Sequence, residues 1–100
     1  MTPEAKVKAR VVKMLKEMGV YYFFPVTGGF GRSGIPDIVG CMSGLFIAVE
    51  CKAGKNKTTA LQEHEIAGIR RAGGFAFVVN ENNLNELRDL LCQLHTTRLT

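Results

Sequence analysis

The stretch Ile35-Pro36-Asp37-Ile38-Val39-Gly40-Cys41-Met42-Ser43-Gly44-Leu45-Phe46-Ile47-Ala48-Val49-Glu50-Cys51-Lys52 decides the fold. Two apolar segments, 37–42 and 45–52, flank Ser43-Gly44, and that spacing predicts an antiparallel hairpin. Side chains alternate along a strand, so Glu50 and Lys52 share one face while Cys51 takes the other. The hairpin folds Asp37 back toward Glu50. Glu50 and Lys52 end a run that is otherwise apolar, where ionisable groups are costly unless paired or metal-bound. Two carboxylates suit a hard divalent cation such as Mg²⁺ (or Mn²⁺), which takes oxygen ligands. Such an ion polarises a scissile phosphate and lowers the pKa of a bound water. Lys52 adds a positive charge that orients that water or stabilises the pentavalent phosphorane. The alternative on these residues is a half-buried Glu50–Lys52 pair with Asp37 opening a turn.

Outward from the hairpin, the chain alternates helix and strand signals. Thr2-Pro3-Glu4 combines a hydroxyl cap, a proline at the first helical position and an acid. Val7, Val11, Met14, Leu15 and Met18 follow at helical spacing until Gly19. Glu4 sits at the start of that apolar stripe, while Lys6, Arg10 and Lys13 form a basic row on an adjoining face. Residues 20–26 read as a strand, demoted toward an edge by Pro25. Thr59 and Gln62 form a capping-box pattern for a helix whose inner face carries Gln62, Ile66 and Ile69 and which Gly73-Gly74 closes. Phe75-Ala76-Phe77-Val78-Val79 is a further strand. Asn83 and Glu86 are placed to cap a last helix bearing Leu87, Leu90, Leu91 and Leu94, with residues 96–100 as a frayed tail. The expected order is αβββαβα, one α/β domain over residues 1–100 with a central mixed β-sheet flanked by helices.

Composition narrows the function classes. One hundred residues, 46% hydrophobic and 22% charged, fit one soluble domain and exclude a disordered tail. No apolar run approaches the roughly 20 residues of a membrane helix, and no apolar leader opens the chain, so a cytoplasmic setting is expected. Three cysteines without a CxxC pattern argue against a disulfide framework or a thiolate zinc site, and Cys41 and Cys51 are expected in the core. The net charge of +4 is compatible with a polyanion partner. Gly29-Phe30-Gly31-Arg32-Ser33-Gly34 matches GxGxxG, but Ile35-Pro36 follows where a dinucleotide site needs a helix, so no organic cofactor is expected. His64-Glu65 begins like HExxH, yet Gly68 stands where the second zinc ligand belongs; His64 and His95 read as solvated helix residues.

The Ile35-Pro36-Asp37 string with Glu50-Cys51-Lys52 resembles the signature of the PD-(D/E)xK nuclease superfamily. GRSGIPDIVG, then LFIAVECKAG, then a glutamine-bearing helix is similar to its virus-type replication-repair nuclease (VRR-NUC) branch. That resemblance implies a restriction-endonuclease-like fold and a Mg²⁺- or Mn²⁺-dependent deoxyribonuclease. It also implies that Asp37, Glu50 and the Cys51 main-chain carbonyl hold the metal, that Lys52 is the catalytic lysine and that Glu4 completes the site. Gln62 matches the family's helical glutamine near the lysine, and the capping box is an equal claim on it. Glycines of the loop at 28–34 let backbone approach phosphates, so Gly31, Arg32 and Ser33 are expected on DNA. Lys6, Arg10, Lys13, Lys55 and Lys57 are further phosphate contacts or merely solvated charges. Branched DNA such as a four-way (Holliday) junction presents two strands to cut, which implies a homodimer. Tyr21, Tyr22, Phe23, Phe24 and Phe30 either line that surface or fill the core. Flap, nicked or linear DNA, RNA, and a non-catalytic DNA-binding module of the same fold stand as alternatives. A small self-contained domain suits a phage gene, with the host cytoplasm as its compartment.

Overall fold

The central hairpin forms at the expected place: β2 (Ile38–Met42) pairs antiparallel with β3 (Leu45–Cys51), from Ile38 opposite Val49 to Met42 opposite Leu45. Ser43 and Gly44 both have positive φ, 53° and 80°, the backbone sign of a type I′ turn, whose twist matches that of the strands it joins. The computed structural model describes residues 1–26 and 31–99, the side chains of 97–99 excepted.

The remaining elements follow the expected order. Helix α1 (Pro3–Glu17) is capped by the Thr2 hydroxyl, which accepts from the Ala5 N–H at 3.1 Å. Strand β1 (Tyr21–Phe23) pairs antiparallel with β2 at the edge of the sheet. It is shorter than the 20–26 expected, because Pro25 offers no N–H to continue a ladder. Helix α2 (Ala60–Arg71) opens with the expected capping box. It returns the chain to β4 (Phe75–Val79), which runs parallel to β3. Helix α3 (Leu84–Leu99) closes the order, and the sheet is mixed, β1-β2-β3-β4.

Two local expectations fail for identifiable reasons. The Asn83 side chain does not reach forward to cap α3: its Oδ1 accepts from the Asn80 N–H at 2.8 Å and its Nδ2 donates to the Val78 carbonyl at 3.1 Å. Residues 96–99 are not frayed but helical. His95 meets the Ser43 hydroxyl at 2.6 Å and the Thr96 hydroxyl bonds the Cys92 carbonyl at 3.0 Å, which ties the last turns down.

The sheet separates two cores. Val7, Val11 and Leu15 of α1 and Leu87 and Leu91 of α3 meet Ile38, Ile47, Val49, Cys51 and Val79 on one face. Ile66 and Ile69 of α2 meet Val39, Ala48 and Ala76 on the other. The small alanines let α2 sit close over β3 and β4. Cys51 is buried in the first core, but Cys41 is exposed, contrary to expectation. It opposes Tyr21 and Phe46, outside the residues on which α2 packs.

The two sheet edges differ. At the β4 edge, Arg70 Nη2 donates to the Ala76 carbonyl at 2.8 Å, and the Asn83 amide covers the Val78 carbonyl. At the other edge, β1 is drawn close to β2: a Cβ on Gly40 would lie 2.1 Å from the Tyr21 carbonyl oxygen. Gly40→Ala must therefore push β1 off the sheet. Thermal unfolding should show a loss of about 1–3 kcal/mol, the usual cost of overpacking.

Candidate metal centre

Asp37 directly precedes β2, one residue before the Ile38↔Val49 pair, and so lies beside Glu50 near the end of β3. Glu4 arrives from the first turn of α1, at the start of the stripe formed by buried Val7 and Val11, where the helix dipole favours an acid. Glu4, Asp37 and Glu50 each offer a carboxylate oxygen, and these atoms lie within 4.8 Å of one another. The acids predicted from the sequence thus converge, although 46 residues separate Glu4 from Glu50 along the chain (50 − 4).

Glu50 is only 3% exposed and Lys52 8%, both on the α2 side of β3. Lys52 Nζ lies 3.6 Å from Glu50 Oε2, and Gln62 Nε2 donates to the same oxygen at 3.1 Å. Glu50 Oε1 is buried and has no hydrogen-bond partner among the described residues. Burial, and then the charge of Asp37, push the Glu50 carboxyl up to about 7 against the opposing pull of Lys52. Asp37 Oδ2 accepts from the Cys51 N–H at 2.9 Å, which holds its carboxylate at the end of β3. The donors are hard oxygens, their negative charges are crowded, and one buried oxygen is unsatisfied. These are the conditions a divalent cation relieves, so the residues fit a Mg²⁺-type ion. The Cys51 thiol is pushed up to about 12, first by burial and then by Asp37 and Glu50, which makes it unreactive.

A cleft of about 660 Å³ opens on this cluster, lined by Glu4, Lys8, Asp37, Cys51 and Lys55 among others. Lys55, read in the sequence as a phosphate contact or a solvated charge, lines this cleft. Lys8 was not singled out by sequence reasoning. Its signal was its position four residues after Glu4, on the same helical face. Its ammonium lies 4.3 Å over the Phe24 ring, and it also lines a second, smaller cleft beyond Asp37 with Ser33. Arg10 and Lys13 line a separate cleft between α1 and α3 with Glu17 and Arg88, and Lys6 and Lys57 are exposed outside the clefts at the acidic cluster. Arg32 is exposed but paired with Glu65 at 2.8 Å, so its guanidinium is drawn toward α2. Gly31 and Ser33 are exposed, whereas Thr27, Gly28, Gly29 and Phe30 lie outside the described residues. Gln62 closes the capping box, as one reading of it expected, and its amide also donates to Glu50.

The family model described as archaeal Holliday junction resolvase (Hjc) matches residues 5–98. It is a family of metal-dependent, structure-specific nucleases of the PD-(D/E)xK type. A search of curated proteins finds no match.

The Glu50 shift gives the metal-free protein a defined pH response. The folded carboxyl titrates near 7 against an ordinary 4.5, so the folded state holds its proton more tightly than the unfolded chain does. Its contribution is complete below about pH 4.5 and is lost as pH rises through about 7. In EDTA, stability should fall across that window by on the order of 3 kcal/mol at most, read as a falling melting temperature. Adding Mn²⁺ should cancel the fall, and Glu50→Gln should flatten it without metal.

Proposed function

The chain belongs to the archaeal Holliday junction resolvase family, and we propose that Glu4, Asp37 and Glu50 hold Mg²⁺ or Mn²⁺ for phosphodiester hydrolysis, with Lys52 as the catalytic lysine. The observation that carries this reading is the unpartnered buried Oε1 of Glu50 inside a three-carboxylate cluster. The Cys51 carbonyl is a further metal oxygen. A strand residue's N–H and C=O point to the same side, and the Cys51 N–H already meets Asp37.

When bound, the ion supplies Lewis acidity toward the phosphate and a water acidified for attack. The side chains do the rest. The Cys51 N–H and the Gln62 amide fix the Asp37 and Glu50 carboxylates, so little reorganisation is needed when substrate arrives. Lys52 is held beside Glu50 in a nearly dry position, where its charge orients the attacking water or offsets charge on the phosphorane. Lys8 and Lys55 line the open cleft and hold flanking phosphates.

The motifs GRSGIPDIVG and LFIAVECKAG support kinship with the VRR-NUC branch of the same superfamily. Two strands of a four-way junction call for two sites, and the chain acts as a homodimer. Its surface is the sheet face beside α2, where Tyr21 (69% exposed), Phe23 (52%) and Phe46 (48%) are uncovered. The compartment is the cytoplasm; among the described residues no helix is long and apolar enough to cross a membrane.

Labelled four-way junction, flap and linear duplex DNA, each with Mg²⁺, Mn²⁺ or EDTA, test the chemistry. Wild type should cut the junction with either ion and not in EDTA. Asp37→Ala should abolish cutting, and Lys52→Ala should slow it roughly 10²–10³-fold with junction affinity retained. Tight binding without cutting under any ion would leave only a binding module. Separately, Phe23→Glu should turn a dimer into a monomer in sedimentation experiments. It should also uncouple the two cuts while sparing Mn²⁺ binding.

A further inference from the structure

The capping box at the start of α2 uses one end of Gln62 and the acidic cluster uses the other. The Thr59 N–H can only donate, so the Gln62 amide atom 2.9 Å from it is Oε1. The remaining amide atom, Nε2, can only donate, and it meets Glu50 Oε2 at 3.1 Å. A flipped amide would fail both partners. Lys52 approaches the same Oε2, so both donors gather on one oxygen and Oε1 has no donor among the described residues, with Asp37 and Glu4 as its acidic neighbours.

We propose that Gln62 is a positioning residue for the metal centre: the α2 capping box sets its amide orientation, and the amide turns Glu50 so that Oε1 is presented to the cation. This rests on the reading of Glu50 as a metal ligand. The segment leading to Asp37 is seated on the same helical turn. A Cβ on Gly34, whose φ is +88°, would lie 2.5 Å from the Leu61 carbonyl and 2.9 Å from the Gln62 nitrogen. One turn of α2 therefore places two ligands relative to each other, although it contributes none itself. Groups that orient metal ligands in this way commonly govern affinity by 10–100-fold.

Mn²⁺ titration calorimetry on the full chain, beside melting in EDTA, tests the proposal. Gln62→Met, close in size but without a donor, should weaken Mn²⁺ roughly tenfold or more. Thr59→Ala removes the capping hydroxyl but keeps the N–H. It should lower the melting temperature and weaken Mn²⁺ clearly less than Gln62→Met does. Thr59→Pro also removes the N–H, and residue 59 has φ −80°, which proline accepts. It should bind Mn²⁺ several-fold more weakly than Thr59→Ala, because the amide is no longer held. Equal affinities for the two Thr59 variants, or wild-type affinity in Gln62→Met, would overturn the proposal. Glu50→Gln separates the two levels: if it abolishes Mn²⁺ binding while Gln62→Met does not, the ligand reading survives and the positioning role is lost. Wild-type binding by Glu50→Gln would remove both.

Discussion

A carboxylate at the end of a buried strand, with one oxygen satisfied and the other not, sets the terms for this protein. Glu50 is almost fully removed from water, faces Asp37 and Glu4, and has Lys52 as its nearest cation. Such an arrangement is unfavourable in the metal-free state, since burial and like charge both oppose ionisation. The fold tolerates it because the strand beneath is anchored on both faces. Val49 and Cys51 pack toward α1 and α3, while Ala48 packs under α2. The local cost is offset by the packing of the strand's apolar residues on both faces.

That division of labour explains why so small a chain can carry a reactive centre. The site is built where three elements end or begin: the first turn of α1, the entrance to β2 and the exit of β3. Each delivers one acid, and α2 arrives from the opposite face with its amide. The rigid parts of the elements lie away from the cleft, and their termini converge on it. Side chains on such termini gain precision from the elements without interrupting the core.

Most of this was legible because it follows from short-range rules. Alternation put Glu50 and Lys52 on one face and Cys51 on the other. The Ser43-Gly44 turn returned Asp37 to Glu50, and the capping signals of α1 and α2 lay in plain view. The losses came where neighbours distant in sequence decide. Cys41 looked apolar enough for the core, but α2 covers only the inner part of its face of the sheet. Asn83 had a choice between two backbones and took the strand. The ion pair of Arg32, expected on DNA, with Glu65 33 residues away is likewise invisible in the sequence. Lys8 was overlooked because a lysine on a helix is ordinary until the fold shows that its face carries Glu4 into the acidic cluster.

The blocked carbonyls of β4 bear on how copies of this chain can assemble. With Arg70 and Asn83 bonded to the Ala76 and Val78 carbonyls, those two edge acceptors are not open to another strand. A strand-to-strand ribbon needs two usable edges on every subunit, one to give and one to receive. With two of its acceptors taken, the β4 edge is the poorer template of the two. Pairing through the freer β1 edge alone joins like to like, the geometry of a closed two-fold pair and not of a ribbon that adds strands at both sides.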